Sequence, residues 1–227
     1  VVGSNAALGA IPMGTGNVWV RELHQSLNPL TAARQLVDAE PVAVDVGQAG
    51  ERFFLLMAGV GFDAAITAAV RSADKHRLGR LAYLIRSVPI IARMRGVRTR
   101  VAVDGQPVKG DALFVLISNS RRYGGVINIA HRATITDGLL DVCVMHGSSA
   151  LAIPRLLAGV LLHGHGLVPG LNYFQARSVE VACSRPLPVQ VDGDTIGKTP
   201  MHFAVLPAAV RVLLPQTVVP EHLLAPP

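Results

Sequence analysis

Aromatic side chains are scarce in this chain: one Trp, three Tyr and six Phe make up 4% of its 227 residues. The core must therefore be built from Val, Leu, Ala and Ile, and small β-branched residues suit strands better than coiled coils. The scarcity also argues against nucleic acid as a partner, since single strands are held by stacking on aromatic rings. Charged residues are few as well, at 16% against 50% hydrophobic, a composition that excludes disorder for most of the chain. The two cysteines, Cys143 and Cys183, sit in apolar runs with no Cys-x-x-Cys pair and no nearby histidine cluster. They read as small buried hydrophobes in a reducing compartment. No apolar run reaches transmembrane length. The stretch 151–171 comes closest, but Arg155, His163, His165 and several glycines interrupt it. Walker-type loops and nucleophile elbows are absent, and the only metal-like histidine spacing, His163-Gly164-His165, reads as structural.

The length fits one large domain, or one and a fraction. The chain opens on Val1 with no basic n-region, so it reads as beginning inside a longer gene product and not as a secreted protein. Its net charge of +6 is unevenly placed. Arg71, Lys75, Arg77, Arg80, Arg86, Arg93, Arg95, Arg98 and Arg100 are opposed only by Asp74, so this stretch outweighs the rest. Basic residues around an apolar stripe suit an anionic membrane surface; the plainer alternative is the solvated face of a surface helix.

Periodicity predicts an α+β chain. A short strand end over 9–13 leads through Gly14-Thr15-Gly16 to Asn17, read as the N-cap of a helix over 18–27. Asn28-Pro29 opens a second helix running to about residue 40, with Pro at its first position. Strands are predicted over 42–46 and 52–58, then helices over 64–73 and 78–94. From Val97 the period becomes two, and Asp104-Gly105 signals a hairpin. Further strands follow over 112–117 and 139–145, then a helix over 148–163. Short strands over 179–182, 189–191, 201–206 and 210–214 complete the pattern. The expected architecture is a β-rich antiparallel sandwich or barrel-like domain over 41–215 with flanking helices. A remnant of an α/β nucleotide-binding unit over 1–40 precedes it, and a frayed tail over 216–227 follows.

Three glycine-centred motifs carry the chemistry. Gly14-Thr15-Gly16-Asn17 lets a backbone approach an anion closely, or else is a tight strand-to-helix turn. Asp192-Gly193-Asp194 puts two carboxylates on a hairpin tip, where they could hold Mg²⁺ and accept a proton, or else is a plain Asp-Gly turn. The chain contains its own control, because Asp104-Gly105-Gln106 has the same shape without the second acid. Asp137-Gly138-Leu139-Leu140-Asp141 is a third Asp-Gly turn leading into a strand.

Taken in order, these motifs resemble the diacylglycerol kinase / sphingosine kinase superfamily of lipid kinases. The resemblance runs through Leu8 to Asn17, Phe53 to Ala64 with its Gly61-Phe62-Asp63-Ala64, and Gly79 to Tyr83. It continues through Ser118-Asn119, Tyr123-Gly124-Gly125, Asp137 to Val142, Val191 to Asp194 and Leu206 to Val210. It implies phosphoryl transfer from ATP, with Mg²⁺, to a lipid hydroxyl. Asp192 and Asp194 would be catalytic, Asp192 as the base and Asp194 as a metal ligand. Gly14, Thr15, Gly16 and Asn17 would border the ATP phosphates. Asp137 and the Leu139 carbonyl would match a structural metal turn. A cytoplasmic protein that visits the membrane surface is implied, with homodimerisation left open. Asp192→Ala is expected to abolish turnover with the fold intact.

This sequence departs from the family pattern in four places. Val18 stands where many members have Asp, Asp194 where Glu is usual, and Thr134 where a second acid would flank the structural metal. The family's Gly-Gly-Asp-Gly-Thr loop is absent from these 227 residues, so the chain as it stands is expected to bind ATP poorly. Two other readings stay open: a non-catalytic lipid-binding module, and a relative of NAD kinase, against which the basic stretch and Asp192-Gly193-Asp194 weigh.

Overall fold

Val-rich alternating segments dominate the chain, and they pair into two sheets. The computed structural model describes residues 1–14, 16–61, 97–123, 127–146, 170–215 and 223–224. The predicted helices over 64–73, 78–94 and 148–163 lie outside the described residues, as do Thr15 and most of the basic stretch. The elements in chain order are β1 (Ala7–Leu8), α1 (Val18–Glu22), α2 (Pro29–Val37), β2 (Glu40–Ala49), β3 (Arg52–Phe54), β4 (Met57–Gly61), β5 (Thr99–Val103) and β6 (Gln106–Pro107). They continue with β7 (Ala112–Ser118), β8 (Arg122–Tyr123), β9 (Ile127–Asn128), β10 (Leu140–His146), β11 (Leu171–Ala176), β12 (Ser178–Cys183), β13 (Pro188–Val191), β14 (Asp194–Lys198) and β15 (Met201–Leu214).

The first sheet has the order β3-β2-β15-β12-β5-β6, with β1 parallel to the end of β15. The second has the order β11-β10-β7-β4-β13-β14, antiparallel throughout. They pack face to face as a sandwich. One core cluster joins Phe54, Val101, Val179, Val181 and Phe203 of the first sheet to Val60, Val115, Ile117, Val142 and Val189 of the second. Each such side chain, fully buried, contributes about 1.5–3 kcal/mol. A second cluster lies beneath the other half of β15. Val210, Val212 and Leu214 pack there with Val44 and Val46 of β2, Leu23, Ile135 and Leu223. The expected β-rich antiparallel sandwich is the fold observed.

Local readings need correction in several places. The apolar run 52–58 is not one strand. It breaks at Leu55–Leu56, and the chain crosses there from the first sheet (β3) to the second (β4). Strands 201–206 and 210–214 are one, β15, whose pairing with β2 jumps from Leu206 to Val210. The 18–27 helix stops at Glu22, and His24 follows with φ +53°. Asn17 does not cap it: its φ is +46° and its side chain makes no cap bond. Asn28 does cap α2, its Oδ1 accepting from Leu30 and Thr31 N–H. The tail is not frayed at Leu223, which is buried and accepts a bond from the Ile135 N–H. β11 and β14 were not foreseen.

Candidate functional site

The hairpin β13–β14 turns at Asp192 (φ +46°) and Gly193 (φ +90°), the two positive-φ positions that a tight two-residue turn requires. Asp192 does more than turn the chain. Its Oδ2 accepts the Leu55 N–H at 2.8 Å, and its Oδ1 accepts those of Leu56 (3.0 Å) and Met57 (2.9 Å). Its own N–H donates to the Met57 carbonyl. The β3–β4 crossing is thus made by a carboxylate that enters from far along the chain. The residue is exposed at the tip, while its carboxyl group turns inward against the crossing. That desolvation pushes its pKa up, opposed by the Met57, Leu55 and Leu56 amides.

The control motif behaves alike. Asp104 (φ +47°) and Gly105 (φ +76°) turn β5 into β6. Asp104 Oδ1 accepts the N–H groups of Arg177 (3.0 Å) and Ser178 (2.8 Å) and the Ser178 hydroxyl (3.2 Å). Both Asp-Gly hairpins therefore pin a neighbouring segment. What distinguishes the second is Asp194, half-buried at the first position of β14.

The carbonyl side of the crossing is held by Asn119, fully buried just after β7. Its Nδ2 donates to the carbonyls of Leu55 (3.1 Å) and Asp45 (3.0 Å), and its N–H donates to that of Leu56 (2.8 Å). Asp45 lies on β2 opposite the jump in β15. Its Oδ1 accepts the Ala208 N–H at 2.8 Å, and its Oδ2 accepts the Gly138 N–H at 2.6 Å. Burial raises its pKa and the charge of Asp137 adds to this, with the two amides opposing. Asp192, the 55–57 crossing, Asn119, Asp45 and the Asp137-Gly138 turn therefore form one chain of contacts. Sequence reading missed Asp45 because it sits in an ordinary alternating strand.

Asp137 Oδ1 accepts the Leu139 N–H at 3.0 Å, closing its turn. Asp45, Asp137, Gly138, Arg177 and Pro207 line an open pocket of about 510 Å³. Two carboxylates, Asp45 and Asp137, lining one pocket beside a turn suit a hard cation with oxygen ligands. Among the described residues no three acidic, histidine or cysteine side chains converge. Such a cation would complete its shell with carbonyls and water, the usual habit of Mg²⁺.

Gly14 and Asn17 close on each other: the Gly14 N–H donates to Asn17 Oδ1 and Asn17 Nδ2 to the Gly14 carbonyl. Arg21 Nε donates to the Gly16 carbonyl. No hydrogen bond joins this loop to Asp192 or Asp137 among the described residues; β1, paired with β15, ties it to the sandwich on one side and α1 on the other. There buried Glu22 accepts the Arg121 N–H at 2.6 Å and lies 3.9 Å from Arg122 Nε, while Arg122 donates to His24. Burial raises the Glu22 pKa, against the Arg121 amide and the Arg122 charge. A further buried acid, Asp141, accepts the Tyr173 hydroxyl, which itself accepts the Arg132 N–H. Burial pushes Asp141 up to about 6.

An antiparallel sandwich with a second acid at one of its Asp-Gly hairpins gives the architecture, and comparison with known proteins identifies the family. Residues 57–214 match the model of the YegS C-terminal NAD kinase beta sandwich-like domain, and residues 2–49 that of the diacylglycerol kinase catalytic domain. A diacylglycerol kinase of Mycobacterium tuberculosis is 31% identical over 224 residues, covering 95% of this chain and 72% of that protein. One from Staphylococcus carnosus is 26% identical, covering 93% and 69%. The fold matches the crystal structure of a diacylglycerol kinase from Bacillus anthracis at a TM-score of 0.73 and 24% identity, over 94% of this chain and 70% of that one. The chain belongs to the diacylglycerol kinase family of lipid kinases. Among the described residues no helix is long and apolar enough to cross a membrane.

Proposed function

We propose that this protein transfers the γ-phosphoryl group of ATP to the hydroxyl of a lipid of the diacylglycerol or sphingoid class, and that Asp192 is the proton acceptor. The observation that carries the reading is the lone-pair count at Asp192. Oδ1 receives two amide hydrogens and Oδ2 only one. Among the described residues, one lone pair of Oδ2 receives no hydrogen bond, on a carboxylate oriented by three amides. An incoming lipid hydroxyl would donate there, and its oxygen would then attack the terminal phosphorus. The proton goes to Asp192, and the P–O bond to ADP breaks.

Asp194, one residue beyond Gly193, supports a magnesium role, since Mg²⁺ is commonly held by one or two carboxylates together with substrate phosphates. When bound, the ion would neutralise the charge developing on the phosphates. Gly14, Gly16 and Asn17 keep a backbone loop ready to border those phosphates, and Thr15 would join them. Asp137 and Leu139 would hold a second, structural cation. The basic stretch 71–100 favours an anionic bilayer as the surface where the lipid is met, with the protein cytoplasmic and peripheral. The test is transfer of labelled γ-phosphate from ATP to a panel of lipid hydroxyl acceptors in anionic mixed micelles, using the full-length natural protein. Labelled lipid that requires Mg²⁺ is the expected product. ATP hydrolysis with no labelled lipid across the panel would overturn the proposal.

A further inference from the structure

Three peptide groups, those of residues 55–57, are gripped from two sides. Their N–H groups converge on Asp192, and the carbonyls of Leu55 and Leu56 are taken by Asn119. Ser120 adds its N–H to the Leu56 carbonyl at 3.2 Å. We infer that Asn119 is a positioning residue for phosphoryl transfer: by holding the carbonyl side of the 55–57 crossing, it aims the amides that orient the Asp192 carboxylate. The inference rests on the reading of Asp192 as proton acceptor.

Two features single out Asn119. The first is chemistry. Its Nδ2 meets two carbonyls at once, Leu55 and Asp45, which only a two-hydrogen donor of this size can do; an aspartate would turn a lone pair towards both. The second is cost. Among the described residues Asn119 Oδ1 is buried without a hydrogen-bond partner, a penalty an apolar side chain would avoid. The residue thus keeps an unmet acceptor in order to present its donors. The same Nδ2 ties β2 at Asp45, whose carboxylate holds the Gly138 amide. Asn119 therefore sets the spacing between the two acidic turns. Sub-ångström placement of a catalytic group matters, since a misplacement of about 1 Å costs on the order of 100-fold in rate.

The test compares Asn119→Ser, which loses one donor hydrogen and adds no charge, and the isosteric Asn119→Asp with Asp192→Asn. Asp104→Asn serves as the control that loosens the other Asp-Gly hairpin. Both Asn119 variants are expected to lower kcat about 10- to 100-fold with KM for ATP little changed, the signature of lost orientation and not of lost binding. Amide hydrogen exchange of residues 55–57 should accelerate in both, while that of β10 and β11 stays as in the wild type. In the Asp192→Asn background Asn119→Ser should cost nothing further, because it acts through Asp192. Unchanged kcat in both Asn119 variants, or a loss in the double variant equal to the product of the two single losses, overturns the inference. Full turnover in Asp192→Asn instead overturns the proton-acceptor reading, and the exchange data still report whether Asn119 holds the crossing.

Discussion

Alanine at Asp192 and alanine at Asp104 make a matched pair that separates chemistry from architecture. Both residues hold the left-handed region, at φ +46° and +47°, so the backbone penalty for alanine there is shared. Asp192 accepts three amide bonds, and Asp104 accepts two amides and a hydroxyl. A hydrogen bond to a charged group contributes about 1.5–3 kcal/mol when sheltered. Both hairpin tips are exposed, so water replaces much of what is lost, and about 2 kcal/mol of stability per variant remains. For a chain of this size that lowers Tm by about 4–8 °C. The Asp192→Ala variant therefore keeps its fold at assay temperature, with reduced stability. Turnover should divide the pair. Asp192→Ala loses about 10²–10⁴-fold, the range for a positioned general base, whereas Asp104→Ala keeps wild-type turnover when assayed well below its Tm. Calorimetry and labelled-phosphate transfer measure both. Equal loss of turnover in the two variants would show that instability, not proton transfer, governs the rate, and an unshifted Tm for Asp192→Ala would refute the amide grip.

Three other perturbations follow from the packing. Asp141 is fully buried, and its folded pKa of about 6 stands above its ordinary 3.8. Its stabilising contribution is therefore complete below about pH 4 and lost as pH rises through 6, worth about 3 kcal/mol in all. Asp141→Asn should flatten that part of the Tm-against-pH curve relative to the wild type and raise Tm at pH 7.5; an unaltered slope would contradict this. Gly47 lies opposite Phe54 across β2 and β3, and an added methyl would overlap the Phe54 ring. Gly47→Ala should cost about 1–3 kcal/mol, read as a lower denaturation midpoint and partly restored by Phe54→Leu. Cys143 is buried and its thiol pKa pushed up by burial, whereas Cys183 is half-buried. Thiol reagents should label Cys183 first and reach Cys143 only on unfolding, as peptide mass mapping would show.

The strand pattern was readable because it is local. Ala112 to Ser118 is apolar at every position save the last, and its strand is buried on both faces. Asn28-Pro29 announced α2 because cap and first turn are adjacent in sequence. What escaped was made by distant residues. Nothing in Arg52-Phe53-Phe54-Leu55-Leu56-Met57 marks a break, since no glycine or proline is there; Asp192 supplies it. Asn17 looks like a helix cap, yet its side chain is already spent on Gly14. The motif residues themselves were legible, as Asp-Gly turns advertise themselves. Of their supports, Asn119 stood out only through the Ser118-Asn119 resemblance, with no role attached, and Asp45 carries no signature, because a buried polar residue on a strand reads as an ordinary polar one.

β2 and β15 are zipped from Glu40 opposite Leu214 to Ala49 opposite Phe203, although one strand falls in the catalytic-domain match and the other in the sandwich match. For recombination between relatives, this moves the natural splice point. A graft that exchanges the catalytic half at residue 49 imports a foreign β2 into the middle of a sheet. Such a strand must carry an acid at position 45, or the amides of Gly138 and Ala208 lose the acceptor that holds the two turns to β2. A crossover before Glu40 leaves that seam whole, and of the strands described only β1, paired with Arg211 and Val212 of β15, then comes from the other parent.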